Sequence, residues 1–217
     1  MIKAVIFDMD GLLIDSEPLW RKAQAQAFKT VGIEPTDEDY DRYMGRGIKE
    51  VVEQWYHEKP WESPSQKEIE DLIVEDLIAL VKSEGKLRKG VQQAIDICKA
   101  ASLPMAIASS SYNLIIDATV DRLEIREHFD HLHSAEHETH SKPHPAVFIT
   151  TAELLGVVPQ DCLVFEDSPS GVLAAKAAKM KCVAVPESSV REHPYILTAD
   201  VVIDSLEEFT SEMLAEL

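Results

Sequence analysis

The sequence predicts an α/β fold built on a doubly wound, mostly parallel sheet, and two recurring patterns lead to this prediction. Short apolar runs recur along the chain, and several of them end at small or acidic residues. Between these runs lie amphipathic stretches, some of which begin at capping residues or glycine. Strands and helices that alternate in this way form a parallel sheet with helices packed on both faces.

The apolar runs are the predicted strands. A parallel strand is covered on both faces, so its sequence is nearly continuous in Val, Ile, Leu, Phe and Ala instead of alternating. The predicted strands are 4–7, 105–108, 162–165, 182–185 and 199–203. The first three end directly before Asp8, Ser109 and Glu166, respectively.

The amphipathic stretches between these strands are the predicted helices of the core. They cover 91–101, 112–123, 145–155 and 169–180, and a final amphipathic stretch follows the last strand. The helix at 169 has Ser168 as its N-cap and Pro169 as its first residue. Serine caps the first turn, and proline occupies a position whose N–H has no helical partner.

The first two predicted strands are separated by more chain than a parallel crossover needs. A crossover takes about a dozen residues plus its helix, whereas residues 8–103 lie between these strands. Further predicted helices lie at 16–31, 47–57 and 65–82. We therefore expect a helical domain inserted at 16–87 and an α/β core formed by 1–15 and 88–217.

Composition and charge exclude several classes of protein. The chain has 217 residues, of which 45% are hydrophobic and 28% charged, as in ordinary globular proteins. It has no secretory signal pattern and no apolar run long enough to cross a bilayer. Its formal net charge of −18 would repel nucleic acid and anionic membranes. With its cysteines odd in number and widely spaced, we expect a reduced, cytoplasmic protein. We also expect a monomer.

Two aspartates follow the first predicted strand, in the segment Phe7-Asp8-Met9-Asp10-Gly11. Carboxylates at the end of a buried strand need a cation or strong hydrogen-bond donors. Gly11 permits the sharp turn through which Asp8 and Asp10 converge on one point. An Asp-X-Asp-Gly segment is more often a solvated turn, but its position directly after a buried strand favours a catalytic pair.

A second acidic pair, Glu166-Asp167, follows another predicted strand. In an open α/β sheet the carboxyl ends of the central strands face one crevice, so four carboxylates are expected to meet there. Oxygen ligands of this kind suit Mg²⁺. The candidate metal ligands are Asp8, Asp10, Glu166 and Asp167. The alternative is that Glu166-Asp167 only complements the dipole of the following helix.

Two serines and a lysine are candidate phosphate-binding residues. Ser109 and Ser110 lie where the second strand ends and a helix begins, so hydroxyl and backbone N–H groups can bind a phosphate oxygen. Lys142 precedes Pro143, and the prolines around it stiffen the backbone. The alternative for Ser109 is that it only caps the following helix, and the alternative for Lys142 is that it is a solvated surface lysine.

Taken in chain order, these features resemble the four motifs of haloacid dehalogenase superfamily phosphatases. The motifs correspond to Asp8-X-Asp10-Gly11, Ser109 after a strand, Lys142 before Pro143, and Glu166-Asp167. They span almost the whole chain, and four in order are far more specific than any one. The resemblance implies a Rossmann-like core with an inserted helical cap, and a Mg²⁺-dependent phosphatase activity.

The resemblance also implies a role for each motif residue. Asp8 would be the nucleophile and a metal ligand, and Asp10 the general acid and base that offers a backbone oxygen to Mg²⁺. Asp167, with Glu166, would complete the metal site. The phosphate would be held by Ser109, Ser110 and Lys142. The second aspartate argues against dehalogenation at carbon, because superfamily dehalogenases lack it.

Within the superfamily, the opening from Phe7 to Trp20 is similar to that of bacterial phosphatases for 2-deoxyglucose 6-phosphate and hexitol phosphates. Aromatic and proline pairs of the inserted segment are similar as well. β-Phosphoglucomutases have the same motifs but typically carry His where this chain has Trp20. The expected substrate is therefore a small sugar or sugar-alcohol phosphate, with Glu17, Trp20 and Arg46 as candidate specificity residues.

Two other classes of function remain as alternatives to hydrolysis. One is phosphoryl transfer of the β-phosphoglucomutase type. The other is a phospho-acceptor signalling or binding protein, since receiver domains also group acidic residues, a hydroxyl and a lysine around Mg²⁺. Receiver domains lack a long helical insertion, and every catalytic position is filled here, so both observations favour an enzyme.

Six of the eight histidines lie between residues 128 and 144. A transition-metal site would be expected to show cysteine partners or a repeated ligand spacing, and this stretch has neither. We therefore predict a polar surface loop there.

Overall fold

The computed structural model describes all 217 residues, which form six strands and nine α-helices. The strands are β1 Ala4–Phe7, β2 Met105–Ser109, β3 His131–Ser134, β4 Cys162–Glu166, β5 Lys181–Ala184 and β6 Val201–Val202. The helices are α1 Glu17–Lys29, α2 Asp37–Tyr43, α3 Ile48–Glu58, α4 Gln66–Glu84, α5 Val91–Ala100, α6 Asn113–Leu123, α7 Ala146–Leu154, α8 Pro169–Ala177 and α9 Ser211–Glu216. None of these helices is both long and apolar enough to cross a bilayer.

The six strands form one sheet in the order β3-β2-β1-β4-β5-β6, and all neighbouring pairs are parallel. This arrangement confirms the predicted doubly wound fold. The strand order changes direction at β1, which lies between β2 and β4. Phe7, at the end of β1, pairs with Ile107 on one side and with Phe165 on the other. The carboxyl ends of these three strands therefore border one crevice.

Apolar clusters cover both faces of the sheet, which explains why its strands are continuous apolar runs. Val5 and Phe7 of β1 belong to the larger cluster of 41 residues, whereas Ala4 and Ile6 belong to a second cluster of 17 residues. Phe7 stacks on Phe165 with ring centroids 4.9 Å apart. These aromatic contacts fix the central strands directly beneath the crevice.

Helices α1 to α4, here called the inserted helices, lie between β1 and α5. The two chain segments that join them to the core run side by side. Asp15 N donates to Lys86 O at 3.0 Å, and Arg88 N donates to Leu13 O at 2.9 Å. This pairing supports the predicted domain limits at residues 16 and 87, which stay a prediction. Within the inserted helices, the fully buried Trp55 lies at the centre of an aromatic cluster.

Two elements were not predicted from the sequence. Helix α2 is short and polar, and its start is fixed by a capping box between Thr36 and Asp39. Strand β3 occupies residues 131–134, so the prediction of a surface loop was wrong over that part of the histidine-rich stretch. β3 lies at the edge of the sheet and pairs only with β2. An edge strand tolerates polar side chains such as these histidines.

Replacement of Trp55 by Ala should lower the free energy of unfolding by about 3–5 kcal/mol, the usual cost of deleting a fully buried aromatic side chain. Urea denaturation measures this change. Trp61→Ala is the matched control, because Trp61 is only half-buried, and it should cost less than half as much. Equal losses would show that Trp55 is not the centre of this cluster.

Candidate active site

The candidate site lies at the carboxyl ends of β1, β2 and β4. Asp8 directly follows β1, Ser109 ends β2 and Glu166 ends β4. Asp8 N donates to Phe165 O at 2.9 Å, so the chain stays in register with β4 where the first aspartate emerges. The structure thereby brings together the residues of all four sequence motifs.

Lys142 is the buried centre of this site. Its ammonium group donates to Asp8 Oδ1 at 2.5 Å, to Glu166 Oε1 at 2.8 Å and to Ala108 O at 3.1 Å. The side chain is 1% exposed. Burial alone would lower the pKa of Lys142, but the charges of Asp8 and Glu166 outweigh burial and raise this pKa above its ordinary value. Lys142 therefore stays protonated.

Glu166 uses both of its carboxylate oxygens within the protein. Oε1 accepts from Lys142, and Oε2 accepts from the backbone N–H groups of Asp167 and Ser168, both at 2.8 Å. The hydroxyl of Ser168 donates to the same Oε2 at 3.0 Å. Glu166 thus anchors the lysine and the loop after β4, and its side chain is completely buried.

Three carboxylates of the site are close enough to share a cation. One oxygen from each of Asp8, Glu166 and Asp167 lies within 4.8 Å of the others. Burial, and then the negative charges of Glu166 and Asp8, raise the pKa of Asp167 well above its ordinary value. The Asp167 carboxylate is buried, yet no hydrogen-bond donor of the chain binds it. A hard divalent cation such as Mg²⁺ matches this set of oxygen ligands.

Burial is also the main influence on the pKa of Asp8. It raises the pKa of Asp8 to about 8, opposed by the nearby charge of Lys142 and reinforced by the charges of Glu166 and Asp10. A cation at this cluster would oppose the same penalty, because it favours the ionised form of each carboxyl group. The residues present therefore fit the predicted metal ion.

Gly11 is required for the close approach of the two acidic loops. Its φ is +76°, and a Cβ atom there would lie 1.9 Å from Asp167 Oδ2. Any other residue would push the Asp167 carboxylate away from Asp8. The tight turn after β1 therefore has a direct role in assembling the acidic cluster.

The Asp10 carboxylate accepts one hydrogen bond from the inserted helices and one from the core. Trp20 Nε1, on α1, donates to Asp10 Oδ1 at 2.8 Å. Ser111 Oγ, in the core, donates to Asp10 Oδ2 at 2.7 Å. Ser111 received no role from the sequence, although it is the third member of a serine run that begins at Ser109. The carboxylate is half-buried, and these two donors fix its orientation.

A cavity of about 60 Å³ lies between the core and the inserted helices. Its lining includes both catalytic candidates and all three predicted specificity residues: Asp8, Asp10, Glu17, Trp20 and Arg46. Further polar lining residues that sequence reasoning missed are Gln24, Tyr40 and Tyr43. They lie on α1 and α2, where no motif marked them. The cavity thus places polar side chains of the inserted helices opposite the aspartates.

Glu17 and Arg46 differ in their surroundings within this cavity. Burial, followed by the negative charge of Glu187, raises the pKa of Glu17 to about 7, although Arg21 opposes this effect. Arg46 is exposed and makes no ion pair with the chain. Arg46 is therefore free to meet a polar or anionic group of a ligand.

The predicted phosphate-binding serines have different partners. Ser109 Oγ accepts from Ser111 N at 3.0 Å and lies 3.5 Å from Asp10 Oδ2. Ser110 Oγ donates to Gly45 O, in the loop between α2 and α3, at 2.8 Å. Ser109 thus lies beside the candidate catalytic residue Asp10, whereas the Ser110 hydroxyl contacts the loop between two of the inserted helices.

The histidines of the stretch from 128 to 144 make no contact with the acidic cluster, although Lys142 lies in the same stretch. His133 Nε2 lies 2.8 Å from Glu138 Oε1, and the rings of His140 and His144 pack 5.2 Å apart. The only three residues of the chain that are placed to share a metal ion are the carboxylates described above.

Comparison with known proteins agrees with this arrangement. The chain is 38% identical to hexitol phosphatase B of Escherichia coli (strain K12), over 98% of this chain and 96% of that protein. The solved structure of CbbY from Rhodobacter sphaeroides in complex with phosphate is 28% identical, with a TM-score of 0.87 over 96% of each chain. A β-phosphoglucomutase structure from Clostridium difficile has the same TM-score at 24% identity, over 100% of this chain and 96% of that one, and so shows a shared fold.

The family resemblance predicted from the four motifs is confirmed by a match to one protein family. Residues 5–185 match the haloacid dehalogenase-like hydrolase family. This range contains both acidic motifs, Ser109, Lys142 and the inserted helices. The chain therefore belongs to the haloacid dehalogenase-like hydrolase family.

Proposed function

We propose that the protein is a Mg²⁺-dependent phosphatase that hydrolyses small sugar or sugar-alcohol phosphates through a phosphorylated Asp8. The observation that carries this proposal is the buried hydrogen bond from Lys142 to Asp8, beside a second aspartate that faces the same cavity. The names of two relatives support the substrate class. They are hexitol phosphatase B and a fructose-1-phosphate phosphatase of Escherichia coli.

In the first step, a carboxylate oxygen of Asp8 attacks the phosphorus atom in line with the sugar oxygen. The bond between phosphorus and that oxygen breaks, and Asp10 gives its proton to the departing alkoxide. Lys142 opposes the protonation of Asp8 and holds its carboxylate in place. When bound, Mg²⁺ supplies positive charge that neutralises the phosphoryl oxygens, and Asp8 and Asp167 are the side chains that would hold it.

In the second step, Asp10 removes a proton from a water molecule that attacks the phosphorus atom of phospho-Asp8. The bond between phosphorus and Asp8 breaks, inorganic phosphate is released, and the Asp8 carboxylate is restored. Asp10 thereby recovers the proton that it lost in the first step. Trp20 and Ser111 hold its carboxylate in place for both transfers.

The cavity favours a compact, hydroxyl-rich leaving group. Glu17, Gln24 and Tyr40 present acceptors and donors from the inserted helices, and such groups can pair with sugar hydroxyls at little desolvation cost. Net hydrolysis is favoured over phosphoryl transfer by the 38% identity to a phosphatase, since the likeness to β-phosphoglucomutases concerns the fold.

Asp8→Asn should lower the rate of phosphate release from hexitol phosphates by at least about 10³-fold, because the amide cannot form the covalent intermediate. Steady-state phosphate release measures this loss. The control is Asp15→Asn, which changes an exposed aspartate near the same turn and should retain most of the activity. A mild loss for Asp8→Asn would restrict Asp8 to binding the metal ion.

Removal of divalent cations with EDTA should abolish phosphate release, and added Mg²⁺ should restore it. Mg²⁺ should also raise the Tm of the wild type, because a ligand at a hundredfold excess over its Kd stabilises the folded state by about 2.7 kcal/mol. This increase should be much smaller in Asp167→Asn. Full activity in metal-free protein would contradict the proposed metal requirement.

Asp10→Asn should impair sugar-phosphate turnover far more than phosphorylation of Asp8 by p-nitrophenyl phosphate. A sugar alkoxide needs a proton to depart, whereas p-nitrophenolate is a good leaving group. The side-chain amide also offers only one oxygen to the two donors, Trp20 and Ser111. Rapid-quench measurement should show a retained p-nitrophenol burst followed by slow dephosphorylation.

One outcome for Asp10→Asn would contradict the proposed acid-base role. Equal losses in the burst rate and in sugar-phosphate turnover, with unchanged dephosphorylation, would remove Asp10 from acid-base catalysis. Asp10 would then be a metal-binding residue alone.

A further inference from the structure

The cavity has a core side and a side formed by the inserted helices. The phosphoryl group of a substrate must meet Asp8 on the core side, so the rest of the molecule faces α1, α2 and the loop after α2. This second side is here called the leaving-group side. Its polar side chains are those of Glu17, Trp20, Gln24, Tyr40, Tyr43 and Arg46.

Glu17 is the one acidic side chain that the inserted helices present to this cavity. Its side chain is 17% exposed, and no hydrogen-bond donor of the chain binds its carboxylate. Arg21 is the only basic residue that pairs with it, and Arg21 Nε lies 3.9 Å from Glu17 Oε2. A largely buried carboxylate without a donor is ready to accept hydrogen bonds from a ligand.

Arg21 is shared among three carboxylates and neutralises Glu17 only in part. Its Nη1 donates to Asp37 Oδ1 at 2.5 Å, and its Nη2 donates to Asp41 Oδ1 at 3.3 Å. Both distances are shorter than the 3.9 Å to Glu17. The guanidinium group is therefore directed at α2, away from the cavity carboxylate.

Other negative groups surround Glu17. Burial is the main reason why its pKa is raised to about 7, and the charges of Glu187, Asp10 and Asp41 add to this effect, whereas Arg21 opposes it. At pH 8 the carboxylate is still ionised in most molecules. A ligand group beside Glu17 therefore meets a negative potential.

The basic side chains near the cavity do not balance this potential. Arg46 is the only one in the lining, but it is exposed and also borders an open groove of about 640 Å³. A charge in contact with bulk water is screened far more than a buried one. Lys142 is already bound by Asp8 and Glu166, so its charge is not available to a second anionic group of a ligand.

We propose that Glu17 is a specificity-determining residue that restricts the enzyme to phosphate monoesters with an uncharged leaving group. Its carboxylate accepts hydrogen bonds from leaving-group hydroxyls and repels a second anionic group, such as a carboxylate or another phosphate. Sugar acids and bisphosphates of the same size as the substrate are thereby rejected. This inference rests on the proposed phosphatase function.

Two hexose derivatives form a matched pair of probes at pH 8. Glucitol 6-phosphate and 6-phosphogluconate differ only at C1, which is a hydroxymethyl group in the first and a carboxylate in the second. Wild-type kcat/KM should be roughly 10- to 100-fold higher for glucitol 6-phosphate, the factor expected for two unit charges about 6–10 Å apart inside a protein. Equal values for the two probes would overturn the proposal.

Glu17→Gln keeps the size of the side chain and a hydrogen-bonding oxygen but removes its charge. It should lower the ratio of the two kcat/KM values by at least about fivefold. The control is Glu34→Gln, which removes the charge of an exposed side chain without a hydrogen bond or ion pair, outside the cavity lining. It should change the ratio by less than about twofold. An unchanged ratio in Glu17→Gln, or an equal fall in Glu34→Gln, would overturn the proposal.

A binding measurement separates this inference from the proposed function. In Asp8→Asn, which should bind without turnover, calorimetry with Mg²⁺ present gives the Kd of each probe. The Kd should favour glucitol 6-phosphate, and addition of Glu17→Gln should reduce this preference. If the wild type hydrolysed neither probe, the proposed function would fail, and the ratio of the Kd values would still decide the role of Glu17. An unchanged ratio, or no binding of either probe, would overturn that role.

Discussion

The structure depends above all on the buried ammonium group of Lys142. It joins Asp8 after β1, Ala108 in β2 and Glu166 in β4, so one side chain connects the carboxyl ends of three neighbouring strands. Removal of one partner from a buried ion pair costs about 3–5 kcal/mol, because the remaining charge is left uncompensated. The crevice can therefore contain several carboxylates only while the lysine remains at its centre.

This constraint divides the acidic residues into groups with different tasks. Glu166 is fully engaged by Lys142 and by the loop after β4, so it serves mainly to build the site. The buried Asp167 carboxylate accepts no hydrogen bond from the chain, and Asp8 belongs to the acidic cluster and also binds Lys142. Asp10 faces the other way, toward Trp20 on α1. In the proposed mechanism, structural support, cation binding and proton transfer thus fall to different carboxylates of two short motifs.

The central part of the fold was predictable because its signals are local. Strands β1, β2 and β4 are continuous apolar runs, and each is followed at once by a chemically distinctive residue. β3 was missed because pairing with β2 makes a strand of a polar, histidine-containing segment. Ser111 and the Gly45 contact were missed because their partners are 101 and 65 residues away in the chain. Such contacts are fixed by packing, and no periodicity reports them.

The paired segments that join the inserted helices to the core restrict how those helices can move. The two segments are antiparallel and are linked by hydrogen bonds at Asp15 and Arg88, so sliding one past the other would break both hydrogen bonds. These two connections are the places where the inserted helices leave and rejoin the core. Trp20 lies on α1, directly after the first connection, and its indole binds the Asp10 carboxylate in the core. A change in the position of α1 relative to the core would therefore also change the orientation of Asp10, so the placement of the inserted helices and the geometry of this carboxylate are coupled.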